Sequence, residues 1–153
     1  MKIEGVDHIH VGVKDLDKAV AFFSDLLGIN FSEDITSDGE GDARGTVANV
    51  RGVGLELVSG KTPDGWMSKL LEKRGEGCYG ISLKVSDIDE AIAELQARGL
   101  RIIRRTVVGN AIEAHIHPKD TYGIMIELCQ YEDQVPIVNQ ALHKAYGKYV
   151  PGK

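Results

Sequence analysis

Apolar and polar residues alternate along the opening segment, and this period of two predicts a strand over residues 3–13. The side chains that this period places on one face of the strand are those of His8, His10 and Gly12. Apolar residues then recur at helical spacing over 16–27, with Asp15 placed to cap the helix and Gly28 to end it. The chain therefore opens with a strand followed by a capped helix.

The same order of elements returns after residue 77. A strand over 78–85 precedes a helix that is capped by Asp87 and ends at Gly99. Residues 33–45 are acidic and contain glycine, which is typical of a loop or a ragged strand. A helix over 62–74 connects the two halves. Further strands are predicted over 46–50, 53–58, 100–108, 111–117 and 123–129.

An internal duplication underlies this order. Residues 8–20 align with 80–92, and the strand residues 54–57 align with 125–128. Two copies of one supersecondary unit usually pack about a pseudo-two-fold axis, so equivalent residues face each other across it. Glu56 and Glu127 occupy equivalent positions, and we expect them to form a pair.

These patterns predict an α+β fold in which two tandem βαβββ modules form a cupped, partly open mixed β-sheet barrel with helices outside. We expect one domain over residues 1–153. Its parts are module one (1–60), a connector helix (61–76), module two (77–131) and a C-terminal tail (132–153).

The composition narrows the classes of protein to consider. The formal net charge is −5 over 153 residues, which argues against non-specific binding of nucleic acid. No apolar run reaches membrane-spanning length, and the N-terminus has no signal-peptide pattern. Cys78 and Cys129 lie far apart and in no metal-type spacing, so we expect two reduced thiols, packed as small core residues, in a cytoplasmic protein.

Two carboxylates in apolar strands mark the candidate site. Glu56 and Glu127 each lie between apolar neighbours, and a buried carboxylate needs a partner or a shifted pKa. A metal ion held together with His8 would supply that partner; the alternative is a wet concave face on which both carboxylates are solvated. His10 and His115 are candidates for lining the same pocket.

Four segments resemble the vicinal oxygen chelate (glyoxalase/bleomycin resistance/dioxygenase) superfamily. The segment 7–19 is similar to the opening of that family's first module. The segments 70–77, 85–89 and 117–128 are similar to its methylmalonyl-CoA epimerase branch. The resemblance covers residues 3–131.

The resemblance implies a metal site with one ligand from the first and the last strand of each module. Position by position, those ligands fall on His8, Glu56, Gly80 and Glu127. Gly80 cannot bind a metal ion, so His115 or His10 is the candidate substitute, unless three ligands and water suffice. The implied cofactor is one divalent ion (cobalt, manganese, nickel, zinc or iron).

The resemblance further implies an epimerase that abstracts a proton next to a carbonyl, with Glu127 as a catalytic base and His10 and His115 at the substrate. For the second acid–base group, the nearest candidates are Glu40 and Asp42. The expected substrate is a small molecule such as an acyl-CoA, the expected assembly is a homodimer, and neither nucleic acid nor membrane is expected. The alternatives are a glyoxalase-type lyase and a non-enzymatic protein that sequesters a small molecule or drug.

Overall fold

The computed structural model describes residues 1–32, 42–108 and 111–131. Within them lie seven strands, three α-helices and one short 3-10 helix over Pro118–Asp120. The strands are β1 (Ile3–Gly12), β2 (Ala43–Val50), β3 (Val53–Gly60), β4 (Gly77–Val85), β5 (Ile102–Val108), β6 (Ala111–Ile116) and β7 (Met125–Gln130). The helices are α1 (Leu16–Leu27), α2 (Trp66–Arg74) and α3 (Ile88–Ala97).

All seven strands form one mixed, open sheet in the order β2-β3-β1-β4-β7-β6-β5. The first and last strands of each half, β1 with β3 and β4 with β7, pair in parallel. The central pair, β1 with β4, is antiparallel. The predicted α+β fold with a mixed sheet is confirmed.

The pairing register reproduces the duplication. His10 lies opposite Glu56 in the first half, and Ser82 lies opposite Glu127 in the second. Across the central antiparallel pair, His10 lies opposite Gly80 and His8 lies opposite Ser82. The two halves are therefore related by a pseudo-two-fold axis between β1 and β4, and their equivalent residues meet at the middle of the sheet.

Two capped helices cover one face of the sheet. The Asp15 side chain accepts a hydrogen bond from the Lys18 backbone N–H, and Asp87 accepts one from that of Glu90, so both predicted caps are confirmed. The buried residues packed around α1 are Val13, Leu16, Phe31, Ala48 and Leu57. Those packed around α3 are Val85, Ile88, Ala91, Leu95, Ala114, Ile116 and Leu128. Because strand neighbours alternate in direction, Glu56 and Glu127 point to the face that α1 and α3 leave uncovered.

The connector helix α2 lies on the same face as the two glutamates. Its Met67 and Leu71 are buried, and a Cβ atom added at Gly12 would lie 2.7 Å from Met67 Cε and 2.9 Å from Leu71 Cδ2. Gly12 shares its strand face with His8 and His10, so the absence of a side chain there lets α2 close one end of the concave face.

Several element boundaries differ from the predicted ones. β2 begins at Ala43, three residues before the predicted start, and β5 begins at Ile102 because Leu100 and Arg101 follow the helix end as irregular backbone. In the first half, the third strand that the βαβββ prediction requires is represented among the described residues by a single bridge between Phe31 and Ala48. Residues 33–41, including Glu40, and the tail 132–153 lie outside the described part of the chain.

The two thiols differ in environment. Cys129 is buried as expected of a small core residue, whereas Cys78 is exposed, so its assignment to the core was wrong. Neither cysteine forms a disulfide, in agreement with the expected reduced state. Among the described residues, no helix is long and apolar enough to cross a membrane.

Candidate metal centre

A β-bulge in β1 sets the orientation of His8. The pairing of β1 with β4 shifts register between Val6 and His8, so Asp7 is the extra residue of the bulge. Adjacent strand residues normally point to opposite faces, and a bulge re-aims a side chain. Asp7 and His8 are therefore both buried, and Asp7 Oδ1 lies 2.8 Å from His8 Nδ1. The hydroxyl of Tyr131, the residue that follows β7, donates to the other oxygen of Asp7.

His10 is held by the second carboxylate of the first half. Its Nδ1 lies 2.5 Å from Glu56 Oε2, and its ring packs edge-on against that of His8 with 4.4 Å between the centroids. The Nε2 atom of His10 is buried without a hydrogen-bond partner among the described residues. It lies 3.8 Å from Glu127 Oε2. A buried imidazole nitrogen left in this state is suited to a ligand that the protein itself does not supply.

Both oxygens of Glu127 accept hydrogen bonds from neighbouring strands. Ser82 Oγ donates to Oε1 at 2.7 Å, and His115 Nε2 donates to Oε2 at 2.9 Å. The Glu127 carboxylate lies 3.6 Å from His8 Nε2, and only 5% of its side chain is exposed. Two donors on separate strands thus fix the carboxylate at the centre of the sheet.

His8, His10 and Glu127 form a group that can hold a metal ion. Each is buried, and their candidate ligand atoms all lie within 4.8 Å of one another. The imidazole and carboxylate donors suit a first-row divalent cation. The orphaned Nε2 atom of His10 faces the Glu127 carboxylate, so the chemistry of the donors and the buried polar atom both fit the metal that the sequence implies.

The charges of the group stabilise one another. Burial opposes protonation of His8, but the hydrogen bond to Asp7 and the negative charges of Glu127 and Glu56 outweigh it and raise the pKa of His8 to about 9. Burial would raise the pKa of Glu127, but the His115 hydrogen bond and the charges of His10 and His8 hold that pKa below its usual range. The Glu56 pKa is also lowered, against the effect of burial, chiefly by His10. Both carboxylates are therefore ionised at neutral pH.

The structure brings five of the predicted site residues together. Glu56 Oε2 lies 3.8 Å from His8 Nε2, and Glu127 approaches the same imidazole from the other half. His10 and His115 contact Glu56 and Glu127 respectively. Asp42 is not part of this group, and its carboxylate accepts a hydrogen bond from Thr62.

The sequence interpretation missed four residues that support the site: Asp7, Ser82, Glu113 and Tyr131. Ser82 could have been found from the duplication, since it aligns with His10 and must lie opposite Glu127. Glu113 lies two residues before His115 on β6, so both side chains point to the same face. Burial and repulsion by Glu127 raise the pKa of Glu113 to about 7. Asp7 carries no signal without knowledge of the bulge.

The chain resembles known proteins in sequence and in fold. The chain is 29% identical over 132 residues to the mitochondrial methylmalonyl-CoA epimerase of Homo sapiens, covering 82% of this chain and 73% of that protein. It superimposes on the crystal structure of methylmalonyl-CoA epimerase from Mycobacterium tuberculosis with a TM-score of 0.76 and 28% identity, over 86% of this chain and 91% of that one. A methylmalonyl-CoA epimerase structure in complex with methylmalonyl-CoA and NH4+ gives a TM-score of 0.75 at 26% identity, over 85% and 96% of the two chains.

The family model of the Glyoxalase/Bleomycin resistance protein/Dioxygenase superfamily matches residues 7–116, which is most of the chain. That range includes both histidines of β1, Glu56 and the whole of β4. The duplicated sheet, the concave site and the sequence match agree, and this chain belongs to the Glyoxalase/Bleomycin resistance protein/Dioxygenase superfamily.

Proposed function

We propose that this protein is a metal-dependent epimerase that inverts the stereocentre next to the thioester carbonyl of an acyl-CoA such as methylmalonyl-CoA. The observation that carries the proposal is the Glu127 carboxylate, buried and ionised beside His8 and His10. The similarity to methylmalonyl-CoA epimerases over more than four fifths of the chain supports the choice of reaction.

The residues that would hold the ion are His8 and Glu127, with His10 and Glu56 as the further candidates. When bound, a divalent ion supplies Lewis-acid stabilisation of the negative charge that develops on the carbonyl oxygen during proton removal. Glu127 is the carboxylate placed to accept the α-proton. Ser82 and His115 hold its two oxygens in one orientation, which spares it reorganisation during the transfer.

Epimerisation also requires an acid on the opposite face of the substrate carbon. We assign this role to Glu113, a half-buried residue on the same face of β6 as His115, whose carboxyl group has its pKa raised to about 7 by burial and by Glu127. Among the described residues we favour Glu113 over Asp42, whose carboxylate accepts an exposed hydrogen bond from Thr62; Glu40 remains a candidate from the sequence. Glu113 would donate its carboxyl proton to the carbanion that Glu127 creates.

The test is the incorporation of deuterium at the α-carbon of methylmalonyl-CoA in D2O, with protein supplied with Co²⁺ or Mn²⁺. We expect rapid exchange by the wild type and a fall of about 100-fold or more with Glu127→Gln, because general-base catalysis contributes about 10²–10⁴-fold. Glu72→Gln, on the exposed side of α2, is the matched control and should exchange as the wild type does. A wild-type protein that binds the ion but leaves the α-proton in place would refute the proposal.

The remaining expectations belong to the same proposal. We propose a homodimer, which the exposed Trp66 of the connector helix and the exposed Phe22 and Leu26 of α1 would help to form. Location in the cytoplasm and the lack of nucleic-acid or membrane partners remain predictions from charge and composition.

A further inference from the structure

We infer that His10 is a metal ligand that replaces the missing side chain at Gly80, and that Glu56 positions His10 rather than binding the ion itself. The ligand set would then be His8 Nε2, His10 Nε2 and the Glu127 carboxylate. This inference rests on the proposed metal-dependent function, and it changes the role of Glu56 from the ligand that the superfamily resemblance implies.

The orientation of the two imidazoles supports this ligand set. The Nδ1 atom of each ring is within hydrogen-bond distance of a carboxylate oxygen, at 2.8 Å for His8 and 2.5 Å for His10, whereas the Nε2 atoms lie 3.6 and 3.8 Å from Glu127, beyond that distance. His8 Nδ1 faces Asp7, and His10 Nδ1 faces Glu56, so both rings present their Nε2 atoms towards Glu127. A metal-bound histidine characteristically uses its other nitrogen to donate to a carboxylate in this way.

The contacts of Glu56 also support this assignment. Its Oε2 atom makes the close contact to His10 and lies 3.8 Å from His8 Nε2. A quarter of the Glu56 side chain is exposed, against 6% of His10 and 5% of Glu127. Glu56 therefore has one oxygen already engaged by His10 and a side chain more exposed than that of His10.

The internal duplication also supports this ligand set. Ser82 in the second half aligns with His10 and donates to Glu127, just as His10 donates to Glu56. The same strand position thus supplies a donor to the carboxylate of its own half in both copies. Only in the first half is that donor an imidazole, whose second nitrogen remains available for an ion.

The limited space at Gly80 fits the same assignment. Gly80 lies directly opposite His10 in the central strand pair, and a Cβ atom added there would lie 3.0 Å from His10 Cδ2. It would also lie 3.0 Å from the backbone oxygen of Met125. The His10 ring therefore occupies the room that a side chain at position 80 would need. The glycine at position 80 thus leaves space that the His10 ring partly fills.

The experiment is a Zn²⁺ titration of the full chain labelled with ¹⁵N, followed by long-range ¹H–¹⁵N spectra of the imidazoles. The chain has five histidines, which single His→Asn variants assign. We expect the Nε2 signals of His8 and His10 to shift together at one equivalent of Zn²⁺. His117, which caps the 3-10 helix outside the group, is the internal control and should not shift. Movement of His8 alone, or no response at all, would overturn the inference.

Binding measurements then separate the ligand from its support. We expect His10→Ala to weaken Zn²⁺ binding at least about 100-fold, as His8→Ala does, and Glu56→Gln to weaken it about 10–100-fold as removal of an outer-shell partner does. In Glu56→Gln both imidazoles should still shift, since the Gln oxygen can accept from His10 Nδ1. His117→Ala serves as the matched control for loss of an imidazole.

The failures of the two proposals are distinguishable. Wild-type affinity for Zn²⁺ in His10→Ala, with a native circular dichroism spectrum, would reject His10 as a ligand while leaving the epimerase proposal standing. An absence of α-proton exchange by the wild type would reject the epimerase proposal, and the imidazole shifts would still decide the ligand set.

Discussion

Tyr131 and Asp7 support His8 from behind. The Tyr131 hydroxyl donates to a buried Asp7 carboxylate whose other oxygen faces His8 Nδ1. A tyrosine that follows β7 therefore helps to fix the orientation of the His8 imidazole on β1. Supporting residues of this kind decide how closely a ligand set keeps its geometry.

Tyr131→Phe should destabilise the metal-free protein by about 1–3 kcal/mol, because it leaves a buried carboxylate oxygen without its donor. Urea unfolding at pH 7 measures the effect. Tyr122→Phe is the matched control, since the Tyr122 side chain is fully exposed and its change should stay within about 0.5 kcal/mol. Equal unfolding midpoints for the two variants would show that the Tyr131 hydroxyl contributes nothing.

Gly80→Ala tests the fit between Gly80 and His10. The added methyl group would lie 3.0 Å from both His10 Cδ2 and the backbone oxygen of Met125, so we expect overpacking to cost about 1–3 kcal/mol. Zn²⁺ affinity should fall as well, because His10 must move.

Gly5→Ala provides the comparison on the neighbouring strand. Nothing lies within 4 Å of a Cβ atom built at Gly5, and its change should leave both stability and affinity close to wild type. Thermal unfolding and Zn²⁺ titration of the two variants measure the difference. If Gly80→Ala behaves as Gly5→Ala does, the space at position 80 is not filled by His10.

Among the elements, the 3-10 helix before β7 is joined to the residue before β5 by an ion pair. The backbone N–H and the guanidinium of Arg101 all donate to the Asp120 carboxylate. Asp120 therefore joins this helix to the residue that precedes β5. The pKa of Asp120 is lowered to about 2, mainly by the Arg101 hydrogen bonds.

A carboxylate whose pKa is lowered on folding stabilises the protein above its ordinary pKa, and that contribution is lost as the pH falls through the lowered value. We therefore expect Asp120→Asn to unfold at a lower temperature than the wild type at pH 6. The difference should shrink between about pH 4 and pH 2. Melting temperatures measured across this range provide the test, and a difference that persists unchanged at pH 2 would contradict it. Asp64→Asn, at an exposed position, is the control.

Most elements were predictable because local signals agreed with the packing. The period-two strands and the caps Asp15 and Asp87 required no knowledge of distant residues. The start of β2 was missed because Ala43–Gly45 has no apolar alternation, and only pairing with β3 makes it a strand. The exposure of Cys78 was missed because the sequence of a strand does not show which of its residues tertiary packing leaves uncovered.

At the scale of the whole molecule, metal binding should stabilise the fold. A ligand that binds only the folded state at 100 times its Kd adds about 2.7 kcal/mol. For a chain of this size we expect chelator-treated protein to gain about 5–10 °C in Tm when Zn²⁺ or Co²⁺ is restored at that excess. Glu127→Gln should gain much less, and Glu72→Gln should match the wild type. An unchanged Tm in the wild type would argue that no ion binds.

How far the candidate site could be predicted follows from the duplication. The repeat was sufficient to bring Glu56, Glu127 and His8 together, because symmetry-related strand positions meet at the axis. It left the choice between His10 and His115 open. Strand periodicity identifies the face on which a histidine lies, but not which of its ring nitrogens points to the centre of the site. For His10 that depends on the contact of Nδ1 with Glu56, and for His115 on the contact of Nε2 with Glu127.

The proposed ligands come from the first and last strands of the described chain: both imidazoles from β1 and the carboxylate from β7. Neither half carries the full proposed set, so a fragment that ended at α2 would lack the Glu127 carboxylate and one that began there would lack both imidazoles. The duplicated halves have thereby become interdependent. An ion bound between the halves would hold β1 and β7 together, and ion binding during refolding would show that β7 had packed beside the first half.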